Sequence, residues 1–325
     1  MKNIAIVCGG DSGEFEISIK SAGVVAKHLN KEKYVPYLVQ VQGDDWHWED
    51  KDGKRYLIDK NDFSLTTRNG KILFDGVFIA IHGTPGEDGK LQGYFDMIGI
   101  PYTSCDAATS AITFDKYLCN RFVNSYGIKT AASMAFLRDE EIDKEKVVEE
   151  LGLPLFVKPA QSGSSVGVSK VSRKEDFDKA VQEALKVDKR VMIEEAITGR
   201  EIACGMIKRG GEVLVFPLTE IMSKKDFFDY EAKYTDGLAE EVTPAEIPED
   251  AEQDIKTLSV FLYKQMDCNG FVRFDYILTP DDLYFLEVNT VPGISEASII
   301  PQQAQAFGLS ISELFDIAVE NMFEK

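Results

Sequence analysis

The sequence predicts a multidomain protein of mixed class, with an α/β parallel-sheet unit at the N-terminus and α+β units after it. Three observations carry this expectation. The 325 residues exceed what one hydrophobic core usually organises. The first hundred alternate strands with helices, the order that builds a parallel sheet. Further on, strands follow strands, and near the C-terminus two of them read as a hairpin. The pattern divides the chain at 1–104, 105–194 and 195–325.

In the first block, residues 3–7 read as a buried strand, 16–29 as an amphipathic helix, 34–41 and 77–81 as further strands, and 91–98 as a helix. The functional loops of such a sheet lie at the carboxyl ends of its strands. Those ends carry Gly9-Gly10-Asp11-Ser12-Gly13-Glu14 and His82-Gly83-Thr84-Pro85-Gly86-Glu87-Asp88-Gly89. The second block opens with a helix near 115–126. Strand, loop, strand, helix and strand follow through 155–158, 166–171, 174–185 and 190–194. The third holds strands at 200–207 and 212–217, a polar segment at 223–244, a helix at 249–265, the hairpin, and a closing amphipathic helix at 310–322.

Composition narrows the function classes. With 55 acidic against 36 basic residues, a net charge of -19 opposes nucleic acid or an anionic membrane as partner, because phosphate backbones demand a positive field. The apolar run 4–8 is too short for a secretory or spanning segment. Five scattered cysteines with no C-x-x-C pair argue against disulfides and zinc, and for small buried side chains in a reducing compartment. A cytoplasmic protein is expected.

The hairpin is the most informative segment. Strands at 271–278 and 283–291 flank Pro280-Asp281-Asp282, and a three-residue loop would set Asp275 opposite Glu287 and Arg273 opposite Asn289. Val272, Phe274, Tyr276, Leu278, Tyr284, Leu286 and Val288 then form a core face by period-2 alternation. Two opposed carboxylates repel by roughly 0.2–1 kcal/mol, and a cation between them removes the conflict. Two carboxylates and an amide oxygen suit Mg²⁺, which completes its octahedron with water and phosphate oxygens. By this reading, loss of one charge would leave the metal-free fold as stable or slightly more so.

Lys158-Pro159-Ala160-Gln161-Ser162-Gly163-Ser164-Ser165-Val166-Gly167 lies between two strands, and its small residues let backbone amides approach an anion. It matches neither the Walker loop nor G-x-G-x-x-G. Lys158 and Lys116 supply cations for phosphates. Glu194-Glu195-Ala196-Ile197 with Gly199-Arg200-Glu201 reads as a strand crossing between domains around a small hinge.

Taken in order, these strings resemble the D-alanine:D-alanine ligase family of the ATP-grasp fold, from Ile4 nearly to the C-terminus. Further strings that carry the resemblance are Leu91-Gln92-Gly93, Asp229-Tyr230-Glu231-Ala232-Lys233-Tyr234, Arg273-Phe274-Asp275, and Glu287-Val288-Asn289-Thr290 with Pro292-Gly293. The resemblance implies a Rossmann-like N-terminal domain and ATP held between two antiparallel sheets. Lys116, Lys158, Ser165 and Lys233 would contact phosphates, and Glu194, Ala196, Ile197 and Glu201 the adenosine. Asp275, Glu287 and Asn289 would ligate two Mg²⁺ ions, with Mn²⁺ as a substitute.

For the amino acids, Glu14 would hold the first ammonium, with Ser164 and Tyr234 closing a lid over it and His82 nearby. Arg273 would stabilise the oxyanion, and Ser298 with the Ile299 amide would bind the second carboxylate. Asn120, Ser295 and Ala297 depart from the usual pattern. The implied reaction makes D-alanyl-D-alanine for peptidoglycan precursors through an acyl phosphate, in a homodimer. The rival readings are a same-fold ligase for D-lactate or D-serine and a nucleotide-binding regulatory module without turnover.

Overall fold

The computed structural model describes residues 1–223 and 239–324. Its first sheet comprises β1 (Lys2–Gly9), β2 (Tyr34–Gln42), β3 (Asp45–Glu49), β4 (Arg55–Asp59), β5 (Ser64–Thr67), β6 (Gly70–Ile72) and β7 (Gly76–Ile79), in spatial order β6-β5-β4-β3-β2-β1-β7. β1 runs parallel to β2 and β7, and α1 (Phe15–His28) supplies the crossover that a parallel pair requires. The antiparallel extension from β3 to β6 lies beyond the sequence expectation. Its strands hold three to five residues each, too few for a two-residue period to stand out.

After α2 (Lys90–Ile98), α3 (Ala107–Phe114) and α4 (Lys116–Asn124), a second sheet forms from β8 (Ser133–Leu137), β9 (Leu155–Pro159), β10 (Ser169–Val171) and β11 (Arg190–Glu195), ordered β10-β9-β11-β8 and antiparallel. Helices α5 (Lys144–Leu151) and α6 (Phe177–Val187) cover one face. Phe177, Val181 and Ala184 of α6 sit in a core with Val157 and Ile193.

The third sheet comprises β12 (Arg200–Arg209), β13 (Glu212–Val215), β14 (Thr219–Ser223), β15 (Ala239–Val242), β16 (Phe271–Leu278) and β17 (Leu283–Asn289). Its order is β15-β14-β12-β16-β17, with β13 on β12, all antiparallel. Behind it lies α7 (Glu249–Gln265), and α8 (Ile299–Phe307) and α9 (Ile311–Met322) close the chain. Cys119 and Val123 of α4 pack into this third core beside Ile202 and Phe274. Phe315 of α9 joins Ile4 and Phe78 of the first sheet to Ile207 and Phe271 of the third. That shared core fixes the first and third sheets relative to each other. All five cysteines are free and buried, and burial pushes Cys8, Cys119 and Cys204 up to about 12, as expected of packing side chains rather than nucleophiles. Among the described residues, no helix is long and apolar enough to cross a membrane.

Candidate active site

Where the three sheets meet, a cavity of about 870 Å³ opens, the size range of small-molecule sites. The first sheet contributes the loops after β1 and β7. Gly9 and Gly10 adopt left-handed backbone, and a Cβ on Gly10 would strike Ile81, so the chain turns here because both positions are glycine. Ser12 Oγ donates to the His82 carbonyl at 2.8 Å, which ties the two loops together. Glu14, at the start of α1, then points into the cavity.

His82 is buried beneath. Its Nδ1–H donates to the Val291 carbonyl at 2.9 Å, which leaves Nε2 to accept from Ser21 Oγ at 2.9 Å. Burial lowers its pKa below 6.5 despite nearby Glu14. His82 is therefore a neutral, oriented ring. Glu87 stands close by, a wall residue that the sequence motif contains without marking it out. It accepts from the Gly83 and Val291 N–H groups at 3.0 and 3.4 Å. Burial and then Glu14 raise its carboxyl to about 7. The sequence signal for it is an acidic pair, Glu87-Asp88, in a glycine-rich loop at a strand end.

From the second sheet comes the loop after β9. Ser164 Oγ donates to Glu14, and a Cβ on Gly163 would collide with that same carboxylate. Ser164 and Ser165 both take left-handed backbone, φ 48° and 57°, a conformation that costs a non-glycine residue about 1–2 kcal/mol. Lys158 and Glu194 form an ion pair at 2.5 Å with only 8% and 6% of their side chains exposed. Asp115 caps α4 by accepting from Leu118 N–H, and so sets Lys116 at the first helical position. Lys116 reaches Glu287 at 3.0 Å and donates to the Ser162 carbonyl at 3.1 Å. Ala196, Ile197 and Glu201 line the side of the cavity where β11 passes into β12.

The third sheet supplies the hairpin patch. Arg273 does pair with Asn289 and Asp275 with Glu287, yet by a different route. Leu278 pairs with Leu283, so the turn spans four residues, and a bulge at Leu286 restores the offset before Glu287. The expected core face changes accordingly: Phe285, not Tyr284 or Leu286, packs inward with Val288, while Tyr284 and Leu286 line the cavity.

The expected repulsion is also resolved differently, by the protein's own cations. Arg273 grips Asp275 through Nε at 2.8 Å and Nη2 at 2.7 Å, and Asn289 Nδ2 donates to Asp275 at 3.0 Å. Lys116 takes Glu287. Removing one carboxylate would thus strip a buried cation of its partner, which overturns the expectation of unchanged stability. Ser298 and Ile299 also line the cavity. They open α8, whose N-cap Ser298 leaves the helix uncapped by its side chain and instead accepts from Ser295 N–H at 3.1 Å. Every expected site residue among those described faces this one cavity or contacts a residue that does. Lys233 and Tyr234 lie outside the described residues.

Comparisons with known proteins agree along the whole chain. The family models described as D-ala D-ala ligase N-terminus and C-terminus match residues 3–105 and 122–320. A D-alanine–D-alanine ligase from Phocaeicola vulgatus is 44% identical over 323 residues, 99% of each chain. One from Flavobacterium johnsoniae is 44% identical over 98% of this chain and 99% of its own. Among solved structures, the VanG D-Ala:D-Ser ligase of Enterococcus faecalis superposes with a TM-score of 0.86 at 33% identity, covering 99% of both chains. The D-alanine–D-alanine ligase of Bacillus anthracis complexed with ATP gives 0.80 at 26% identity, covering 100% of this chain and 98% of its own. With the expected fold, cavity and sequence strings all present, the chain belongs to the D-alanine–D-alanine ligase family of the ATP-grasp fold.

Proposed function

We propose that this protein joins two D-alanine molecules at the expense of ATP, making D-alanyl-D-alanine for cell-wall precursors in the cytoplasm. The observation that supports this best is the convergence in one cavity of Glu14 with Ser164, of Lys116 and Lys158, and of the Arg273, Asp275, Glu287 and Asn289 patch.

A free carboxylate is a poor electrophile, so phosphoryl transfer must first give it a phosphate leaving group. Lys116 and Lys158 serve as cations for the phosphates, with the Ser165 loop against them, while Ala196, Ile197 and Glu201 enclose the nucleoside. Glu194, paired with Lys158, sets how much of that lysine's charge the nucleotide meets. Asp275, Glu287 and the Asn289 carboxamide form an all-oxygen donor set, which suits Mg²⁺ or Mn²⁺. When bound, such ions neutralise phosphate charge during transfer. Glu14 receives the first ammonium and Ser164 fixes that carboxylate's direction. Neutral His82 packs beside it without adding a competing charge. Arg273 faces the developing oxyanion, and Ser298 with the Ile299 N–H receives the second carboxylate.

The test is ADP release with D-alanine, L-alanine or neither. D-alanine should be required, with L-alanine far weaker because its methyl group meets a different wall of the Glu14 pocket. Equal release with both, or none with D-alanine, would sink the reading.

A further inference from the structure

Amide formation needs a neutral amine, yet an amino acid arrives as an ammonium. The carboxylates of the proposed site are engaged. Glu14 accepts from Ser164, Glu87 from two backbone N–H groups, Asp275 from Arg273 and Asn289, and Glu287 pairs with Lys116. Glu194 pairs with Lys158, and Glu220 with Arg200. Glu195 accepts from the Ala132 N–H and Glu201 lies on the proposed nucleoside side, which leaves Glu241 on β15 among the described acids of the cavity wall.

Its position is fixed from two directions. Glu241 pairs with Ile221 on β14, and Ile221 packs with Ala203 and Ile299. Gln302 of α8 donates through Nε2 to Glu241 Oε2 at 3.2 Å and to the Ala297 carbonyl at 2.6 Å, one residue before Ser298. Glu241 therefore lies beside the uncapped start of α8, the proposed seat of the second substrate's carboxylate. Across the same sheet face stands Arg273, whose charge attracts it. An amine attacking a carbonyl held at Arg273, with its carboxylate on the α8 N-terminus, would bring its nitrogen to the side of the cavity that Glu241 lines.

We propose that Glu241 holds the ammonium of the second amino acid and accepts a proton from it, acting as the general base of amide formation. This rests on the ligase reading above. One N–H proton passes to Glu241, and the freed lone pair forms the C–N bond at the acyl carbon. The tetrahedral intermediate then expels phosphate by breaking the C–O bond. The nitrogen's second proton leaves with the phosphate, and Glu241 returns its own to solvent. Burial holds the Glu241 carboxyl above the usual carboxylate range, against the pull of Arg273 and the Gln302 hydrogen bond, which brings it nearer the ammonium it must deprotonate. The other charged wall groups of these strands are Glu201 on β12, in the same row through Ile221, and Glu220 on β14, neutralised by Arg200.

Hydroxylamine separates this role from others, because it is largely neutral at pH 7.5 and attacks an acyl phosphate without a base. Glu241→Gln preserves an acceptor for Gln302. With D-alanine as nucleophile, dipeptide formation by E241Q should fall by about 100-fold or more, the scale of general-base catalysis. D-alanine hydroxamate formation from ATP, D-alanine and hydroxylamine should stay within about twofold of wild type on the same basis. That second readout also reports that the variant is folded. Unchanged dipeptide formation would overturn the proposal, and so would an equal fall in both products, which would assign Glu241 to phosphoryl transfer or site assembly. If wild type makes neither product, the ligase reading itself fails.

Discussion

The two walls of the cavity handle buried charge in opposite ways. On the first-sheet wall, burial decides protonation: His82 is held neutral and Glu87 is raised to about 7, each held by backbone groups. Along the hairpin of the third sheet, side-chain partners answer the charge instead: Asp275 is 1% exposed and paired with Arg273, and Lys116 answers Glu287. The first wall can therefore shape a pocket without a strong field. The second stores a field that arriving ligands reorganise, because any cation bound by Asp275 and Glu287 competes with Arg273 and Lys116, which are then freed for anionic groups.

The sharpest way to break this contrast is at the paired wall. Asp275→Asn and Glu287→Gln should each lower ADP release by orders of magnitude, because charge neutralisation at the transferring phosphoryl group is worth several kcal/mol. Asp275→Asn should also destabilise the ligand-free protein, by up to about 3 kcal/mol, since the Arg273 guanidinium loses the carboxylate it grips. Glu287→Gln should cost less, as Lys116 keeps its bond to the Ser162 carbonyl. Thermal melts without nucleotide and ADP-release rates on the same samples check both halves. Near-wild-type turnover in either variant would refute the role.

A smaller effect is expected on the other wall, and its sign is set by pH. Glu87 binds its proton more tightly folded than unfolded, so the stability that this proton contributes is present at low pH and drains away as pH rises from about 4.5 through about 7. Glu87→Gln should therefore be more stable than wild type at pH 8, by up to about 3 kcal/mol, with the advantage vanishing near pH 4.5. Urea melts at the two pH values test this, and an equal difference at both would contradict it. His82 acts in the other direction: its folded pKa is lowered, so its contribution is lost as pH falls below about 6.5.

The smallest effect concerns that ring's orientation. Ser21→Ala removes the donor to Nε2 and should cost about 1 kcal/mol. In wild type, the imidazole nitrogen shifts should report a neutral Nδ1–H form that persists below pH 6.5. A ring that titrates near 6.5 would count against the assignment.

Much of this architecture is legible in the amino-acid sequence. The hairpin's paired residues, the Gly/Ser loop, and helices such as α7 and α9 follow from local period and turn chemistry. What stays hidden depends on distant partners. Lys116 reaches Glu287 only because Asp115 caps α4 against the loop after β9. Glu87 gains its unusual carboxyl from burial under a loop near Val291, and sequence neighbours do not encode burial. The Leu286 bulge escapes a sequence reading because counting inward from a turn assumes an unbroken ladder. Helix α8, nine residues opening on Ile299-Ile300-Pro301, shows no periodic run long enough to separate from its loop.

That bulge makes the hairpin a two-part phase lock. The four-residue turn alone would leave Glu287 out of step with Asp275, and the extra residue at Leu286 brings it back into step. If the ladder ran on unbroken from the turn with Leu286 kept, Leu286 would stand opposite Asp275 and Glu287 would turn away from the cavity. Removal of Leu286 itself would close a regular ladder and leave Glu287 opposite Asp275. Among descendants of this chain, loss of the bulge residue should therefore be tolerated, whereas changes that flatten the bulge and keep its residue should be purged, even where no site residue is itself altered.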